Sequence, residues 1–329
     1  MVHGTVANQM GTRNPVAKPR HNLSVLIWGD EEDPHTQAVV KQLNAASVIV
    51  RVIDALKPWG RLTIRSEGNS LLLVDGEGEV SLRGIWNRLK PRLGTGYIES
   101  EAFALRERRE FLIGISSVVA PSVNIINDPT AQEMARNKIF QLKLAVEVGF
   151  RIPRTWISTD VERILKAHET CSNELIYKPL TWLASLKGEV LFANVLKTSD
   201  ILNNSEAMGV APGIYQERIV KKFEYRVTVV DQHIFPVRIY SQELLETQVD
   251  WRRNQREVRY ESCILSDDVQ ERLMLFHART NLRYGAYDLI ETSTGEFVFL
   301  EVNPAGNWLW LEEKLKLPIS KAIADALVT

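Results

Sequence analysis

The sequence predicts a mixed fold, α/β in its N-terminal part and α+β beyond, and three observations carry that expectation. The chain opens as β-α-β, and a unit of short strands and helices fills its middle. Near its end, two apolar runs flank a tight turn and carry acids at matched positions.

Residues 24–28 form a short apolar run, 34–46 read as a helix with Pro34 in its first turn, and 47–53 are β-branched, a parallel-sheet opening. Short alternating runs follow at 62–65, 71–74 and 79–82, then a run at 84–89, a helix around 98–118 and a strand at 122–126. The single glycine of Trp28-Gly29-Asp30 makes no dinucleotide fingerprint, so no NAD site is assigned. Asp128 as N-cap and Pro129 at N1 start a helix whose pattern runs to Gly149, a natural residue to end it. From Pro153 the order is strand 154–158, helix 160–168, strands 174–178 and 189–196, helix 198–207 and strand 214–219, an α+β unit of the size of a lid. A hairpin over 225–230 and 234–240 turns at Asp231-Gln232-His233, and a charged stretch leads to a helix over 267–281. The last hairpin spans 285–303, before a Trp-rich segment and a closing helix. The expected division is a flexible tail at 1–22, an N-terminal domain at 23–127, a central lid domain at 128–213 and a C-terminal domain at 214–329.

Composition narrows the classes. Among 329 residues, 40 Lys and Arg nearly cancel 41 Asp and Glu, so no global field favours nucleic acid or an anionic membrane, and any anion site is local. Cys171 and Cys263 are far apart and lack ligand spacing, which argues against a disulfide framework, a zinc site or a thiol nucleophile and fits a reducing compartment. The first 22 residues are rich in Gly, Pro, Asn and basic side chains but lack the apolar stretch of a signal peptide. No window reaches the roughly 18 consecutive apolar residues of a membrane span. A soluble, cytoplasmic protein is expected.

The segment GAYDLIETSTGEFVFLEVNP, residues 285–304, carries the chemistry. A two-residue turn within 293–296 would pair Ser293 with Glu296 and, in the same register, Asp288 with Glu301. Asn303, two residues beyond Glu301, then shares their face. Like charges directly opposite destabilise a sheet by under roughly 1 kcal/mol, so the pairing makes sense if a cation sits between them, and all-oxygen donors suit magnesium that bridges phosphates. The alternative is a solvated hairpin face with incidental acids. Thr294 also suits a positive-φ turn poorly, and a bulge would slip the register by one.

Lys178 ends a strand in Glu-Leu-Ile-Tyr-Lys-Pro, where its ammonium can meet a phosphate as a point charge; Lys138 lies on the helix begun by Asp128. Alone, both read as solvated or snorkelling residues. The stretch from Gln216 to Ile219 ends a strand and offers backbone groups to an adenine ring. Arg226 and Arg238 extend from the following hairpin, where charge-assisted bonds to phosphate oxygens would be strong.

In this order, Lys138, YKP with Lys178, QERI, Arg238, YDLIE and FLEVNPAG resemble the ATP-grasp superfamily and its RimK-like branch. SQELLETQVDWRR, FVFLEVNPAGNWLWLE and PISKAIADAL look like the microviridin-type, or graspetide, peptide ligases. The likeness covers roughly residues 128–329. It implies an ATP-grasp fold with an N-terminal pre-ATP-grasp domain, a central lid and a C-terminal antiparallel sheet carrying the metal site, and it implies ATP and magnesium as cofactors. It also implies that Lys138 and Lys178 hold phosphates and the adenine edge, that Gln216, Glu217, Arg218 and Ile219 form the adenine hinge, and that Glu224 takes the ribose hydroxyls. Arg238, with Arg226 as a second candidate, would meet the γ-phosphate or acyl phosphate, and Asp288, Glu301 and Asn303 the magnesium ions. The lid departs from the family pattern: residues 181–188 carry one glycine where a glycine-rich phosphate loop is usual, leaving Ser185 and Lys187 to help.

The activity implied is carboxylate activation as an acyl phosphate. The resemblance makes the substrate a ribosomal precursor peptide, with a leader and an acidic, Thr-rich core, cyclised through side-chain esters or amides. Asp250, Trp251 and Arg252 are candidates for gripping that peptide, and Trp308 for walling its channel, against the alternatives of a charged loop and core packing. The resemblance further implies a homodimer. Two other readings share the ATP site: a RimK-like ligase that adds free amino acids to a carboxylate, and a non-catalytic ATP-binding regulator.

Overall fold

The computed structural model describes residues 25–55, 57, 62–68, 70–76, 78–89, 99–172, 174–181 and 193–329. The expected tail at 1–22, the start of the strand expected at 189, Ser185 and Lys187 lie outside them.

The first part holds β1 (Val25–Trp28), α1 (Pro34–Ala45), β2 (Val50–Ile53), β3 (Thr63–Glu67), β4 (Ser70–Val74), β5 (Gly84–Asn87), α2 (Glu99–Ile115) and β6 (Asn124–Ile126). β2, β1, β5 and β6 form a parallel sheet in that order, as the opening predicts. All four residues of β1 are buried because both faces of a parallel sheet are covered. Leu26 and Trp28 meet Leu112 and Ile115 of α2, while Val25 and Ile27 meet Val39 and Leu43 of α1. The alternating run at 79–82 is not a strand; Glu79 makes an isolated bridge to Val74.

The middle holds α3 (Pro129–Arg136), α4 (Lys138–Glu147), β7 (Thr155–Ser158), α5 (Val161–Thr170), β8 (Leu175–Lys178), β9 (Asn194–Leu196), α6 (Thr198–Asn203), α7 (Ser205–Val210) and β10 (Gly213–Glu217). The helix expected from Asp128 to Gly149 is therefore two. Asn137 has extended backbone (ψ 108°), and its side chain accepts from the Ile139 and Phe140 amides, so it caps a second helix. The helix expected over 198–207 also divides, at Asn204. β7, β10, β8 and β9 make an antiparallel sheet in that order, under α5 and α6. β10 thus pairs with the central strands, although the expected boundary gave it to the C-terminal part.

The remainder holds β11 (Lys221–Val230), β12 (His233–Ile239), β13 (Tyr260–Ser262), α8 (Asp267–Arg279), β14 (Tyr284–Thr292), β15 (Phe297–Asn303), α9 (Leu309–Leu315) and α10 (Ile319–Val328). Its five strands are antiparallel in the order β13-β12-β11-β14-β15. One face, with Tyr225, Val227, Val229, Tyr287, Leu289 and Phe299, packs on α4 and α8. The other presents Glu224, Arg226, Asp288 and Glu301, the side-chain alternation expected of a strand. α10 returns to the first sheet, where Ile319, Ile323 and Leu327 join Val25 and Ile27. Gly84 permits this, since a Cβ there would lie 2.2 Å from the Leu327 carbonyl oxygen.

Candidate functional site

Asp288 stands directly opposite Glu301, as the sequence predicts, by a different route. The turn is longer than two residues: the Thr292 amide donates to the Glu296 carbonyl, and Gly295 takes φ +83°, a conformation that suits glycine. That sets Leu289 against Phe299, one residue out of the expected register. A bulge between Asp288 and Leu289 restores it, so Asp288 meets Glu301, and Ala286 meets Asn303. Asn303 therefore shares the face of both acids, and its Oδ1 accepts the Ala305 amide (3.0 Å).

Arg226 pairs with Asp288 across β11 and β14, and its Nη1 lies 3.0 Å from each carboxylate oxygen. Gly306 makes room for it: a Cβ there would come within 2.8 Å of Arg226 Nη2. Asn137 makes Lys138 the first residue of α4, which brings Nζ to 3.4 Å from Glu301 Oε2 and lets it donate to the Pro179 carbonyl (3.0 Å). Lys178, at the end of β8, is close enough to feel Glu301, Lys138 and Arg252; burial lowers its pKa and Glu301 opposes that.

A short 3₁₀ turn at Trp251–Asn254 supplies the fourth cation. Asp250 fixes the Arg252 guanidinium through Nε (2.8 Å) and Nη2 (2.6 Å) and also accepts the Ala193 amide (3.0 Å) at the entry to β9. Although 38 % of the Arg252 side chain stays accessible, its charge bears on both Glu301 and Asp288. Burial alone would raise the Glu301 carboxyl, but Lys138, Arg252, Lys178 and Arg226 hold it well below the usual range. Asp288 is pushed up, by burial first and by its neighbour Glu301, against the pull of Arg226. Four cations surround three carboxylates, so the cluster suits an anionic ligand.

Other candidates fall elsewhere. Glu224 shares the face of Arg226, is buried, and pairs with Lys221 at 2.7 Å. Gln216 is buried on β10 and donates to Thr155 Oγ1 (3.0 Å); Glu217 and Arg218 pair with Arg154 and Glu174, and Ile219 packs on Ile290 and Val298. Arg238 is not with the cluster. It pairs in register with Tyr225, on the opposite face of the sheet, donates to the Tyr225 hydroxyl (3.0 Å) and lies over the Phe223 ring. Trp251 and Trp308 are not open to a peptide either. Trp251 packs between Tyr260 and Trp310, and Trp308 is wholly buried against His35 and the core under the first sheet.

Three buried polar residues were not singled out from the sequence. Gln141 donates to the Val302 carbonyl (2.9 Å) and accepts the Val302 amide (2.9 Å), so it completes the edge of β15 between Glu301 and Asn303 as another strand would. Asn127 donates to the Tyr284 and Pro304 carbonyls and accepts the Arg283 and Tyr284 amides. Arg88 reaches from β5 to the loop after Asn303. Asn137 and Gln141 sit in a recognisable cap-and-helix pattern, but nothing local marks Arg88.

No protein-family model and no curated protein matches the sequence. Solved structures do. The macrocyclase MdnC of Microcystis aeruginosa MRC, bound with its precursor peptide MdnA, matches with a TM-score of 0.79 and 26% identity over 93% of this chain and 99% of that one. The macrocyclase MdnB of the same organism matches with a TM-score of 0.74 and 28% identity, over 94% and 99%. A RiPP-associated ATP-grasp ligase of Chryseobacterium gregarium, in complex with ADP and a leader and core peptide, has a TM-score of 0.79 at 24% identity, over 92% and 96%. Fold and comparison together define the class of structure: the chain has the ATP-grasp fold. With that fold it is similar to the macrocyclases MdnC and MdnB over nearly its whole length.

Proposed function

We propose that this chain uses ATP and magnesium to activate Asp or Glu side chains of a ribosomal precursor peptide and closes them into ester or amide macrocycles. The observation that supports this best is the pair Asp288 and Glu301, opposite each other with Asn303 on the same face and Lys138, Lys178, Arg226 and Arg252 around them. Magnesium suits these donors, which are all oxygen. Among the described residues no three His, Cys, Asp or Glu side chains are placed to hold one metal ion together, so the ion would keep waters and lean on substrate phosphates, as magnesium does. When bound, it would neutralise charge on the transferring phosphoryl group.

A carboxylate resists nucleophiles because of its charge, and oxide is a poor leaving group. A peptide carboxylate oxygen therefore attacks the γ-phosphorus, ADP departs, and an acyl phosphate forms. A Ser or Thr hydroxyl or a Lys amine then attacks the acyl carbon, loses its proton, and expels phosphate. Lys138 and Lys178 are read as phosphate ligands, Gln216 to Ile219 as the adenine hinge, and Glu224 as the ribose ligand. Arg226 takes over the anion-binding role first given to Arg238, because it faces the acids. Arg252, preset by Asp250, is read as the guanidinium that meets the peptide carboxylate or its phosphate. The sheet of β7, β10, β8 and β9 is read as the lid. Among the described residues no helix is long and apolar enough to cross a membrane, and a cytoplasmic homodimer remains part of the proposal.

Co-expression with a short Thr- and acid-rich peptide gene beside this one, followed by mass spectrometry, tests the reading. Loss of one water per ring is expected, with ADP released. Added amino-acid mass would favour the RimK-like ligase, and neither mass change nor peptide-stimulated ADP release would overturn catalysis in favour of a regulator.

A further inference from the structure

Arg88 leaves the C-terminal end of β5 and is 3% exposed. Its Nη1 donates to the carbonyls of Ala305 (2.9 Å) and Gly306 (3.3 Å), its Nη2 to Asn307 Oδ1 (2.9 Å), and its Nε to Asp33 Oδ2 (3.2 Å). Asp33 also caps α1 and bonds His35 Nδ1 (2.9 Å). His35 Nε2 accepts the Trp308 and Leu309 amides (3.2 and 3.3 Å), so its proton sits on Nδ1, facing Asp33. From the other side, Arg226 Nη2 points at the Asn307 carbonyl (3.4 Å) beneath Gly306, whose carbonyl accepts the Tyr284 hydroxyl (2.8 Å). The four residues that follow Asn303 are thus clasped between two guanidiniums, one from the first domain and one seated on Asp288.

We propose that Arg88 is a positioning residue for the metal site. It fixes the carbonyls of residues 305–307, so that Gly306 and Asn307 hold Arg226 flat against Asp288 and set which side of that carboxylate is open to an ion. The planar fork matters more than the charge: a lysine has three donors on one atom, so keeping the ion pair with Asp33 leaves it at most two for the three loop oxygens. The inference rests on the proposed metal role of Asp288.

The experiment measures ADP binding to the full chain as a function of magnesium concentration, for Arg88→Lys, Asn307→Ala and Asp288→Asn. Arg88→Lys is expected to raise the magnesium requirement about tenfold, the lower end of what outer-shell partners cost a metal site. ADP binding without magnesium should stay unchanged. Asn307→Ala, which removes only one acceptor of the fork, keeps the inference testable should Arg88→Lys fold poorly, and it should shift the requirement in the same direction by less. An unchanged magnesium requirement in the folded variants, with Asp288→Asn losing its dependence, would overturn the role of Arg88 alone, even if thermal stability fell. If Asp288→Asn keeps the dependence, the metal reading and this inference fall together.

Discussion

Asn127→Asp is nearly isosteric, so it tests hydrogen bonding with the packing held constant. The amide is 1% exposed and donates to the carbonyls of Tyr284 (2.9 Å) and Pro304 (2.8 Å). It accepts from the amides of Arg283 (2.9 Å) and Tyr284 (2.8 Å). A carboxylate keeps the two accepted bonds and loses both donated ones. Two buried carbonyls left without donors cost ~1–3 kcal/mol each, so about 4 kcal/mol is expected, before the cost of a buried charge. That is a large part of the ~5–15 kcal/mol that holds a domain folded. Burial beside carbonyls raises the folded-state pKa of the new acid above its unfolded value. Its protonated form then restores one donor, so the penalty is smallest at low pH and grows as pH rises towards the folded pKa, by at most ~1.4 kcal/mol per unit. Urea unfolding followed by tryptophan fluorescence, at about pH 5 and about pH 8, reads both effects. A variant within ~1 kcal/mol of the parent at the higher pH, or a deficit that shrinks as pH rises, would refute the reasoning.

Arg226→Ala should lower peptide-dependent ADP release by about a hundredfold or more, while Arg238→Ala, on the far face, should stay within about threefold; equal losses would put Arg238 back in the site. Gln141→Met should cost ~2 kcal/mol in urea unfolding, because both backbone groups of Val302 lose their partner; no change would mean that solvent replaces the amide. Burial holds His277 neutral, with a pKa of about 4, 3% exposed, and in contact with the Tyr287 hydroxyl. Its unfolded value is ~6.5, so stability present at neutral pH should fall as pH drops from ~6.5 towards 4, by up to ~3 kcal/mol. His277→Gln should flatten that slope in pH-dependent unfolding, and an unaltered slope would assign it to other groups.

Much of the fold could be read from local pattern: the β-α-β opening, the Asp128 start and the closing hairpin are all present. The pairing of Asp288 with Glu301 was reached through two departures that cancel, a longer turn at Gly295 and a bulge near Leu300. Nothing in Phe-Val-Phe-Leu-Glu-Val-Asn marks where such a bulge falls. The face of Arg238 was misread, since the three-residue turn expected at Asp231-Gln232-His233 sets it opposite Arg226, whereas the strands turn on Asp231 and Gln232 alone and set it opposite Tyr225, with Arg226 opposite Val237. One residue of turn length therefore decides between the two arginines, against the order in which the resemblance ranks them. Core packing was left open for Trp308 and not foreseen for Trp251, because their neighbours His35 and Trp310 come together only in the folded chain. Arg88 and its loop partners lie 217 and more positions apart, beyond any local signal.

The return of α10 to the first sheet governs how the molecule can assemble. α1 covers the face of Val25, Ile27, Trp86 and Ile126 only in part until residues about two to three hundred positions downstream arrive, and closing so long a loop is slow rather than costly. A fragment cut before α9 would carry an open apolar wall where the intact chain has a seam, and should aggregate. The N-terminal sheet is first to be made and last to be finished.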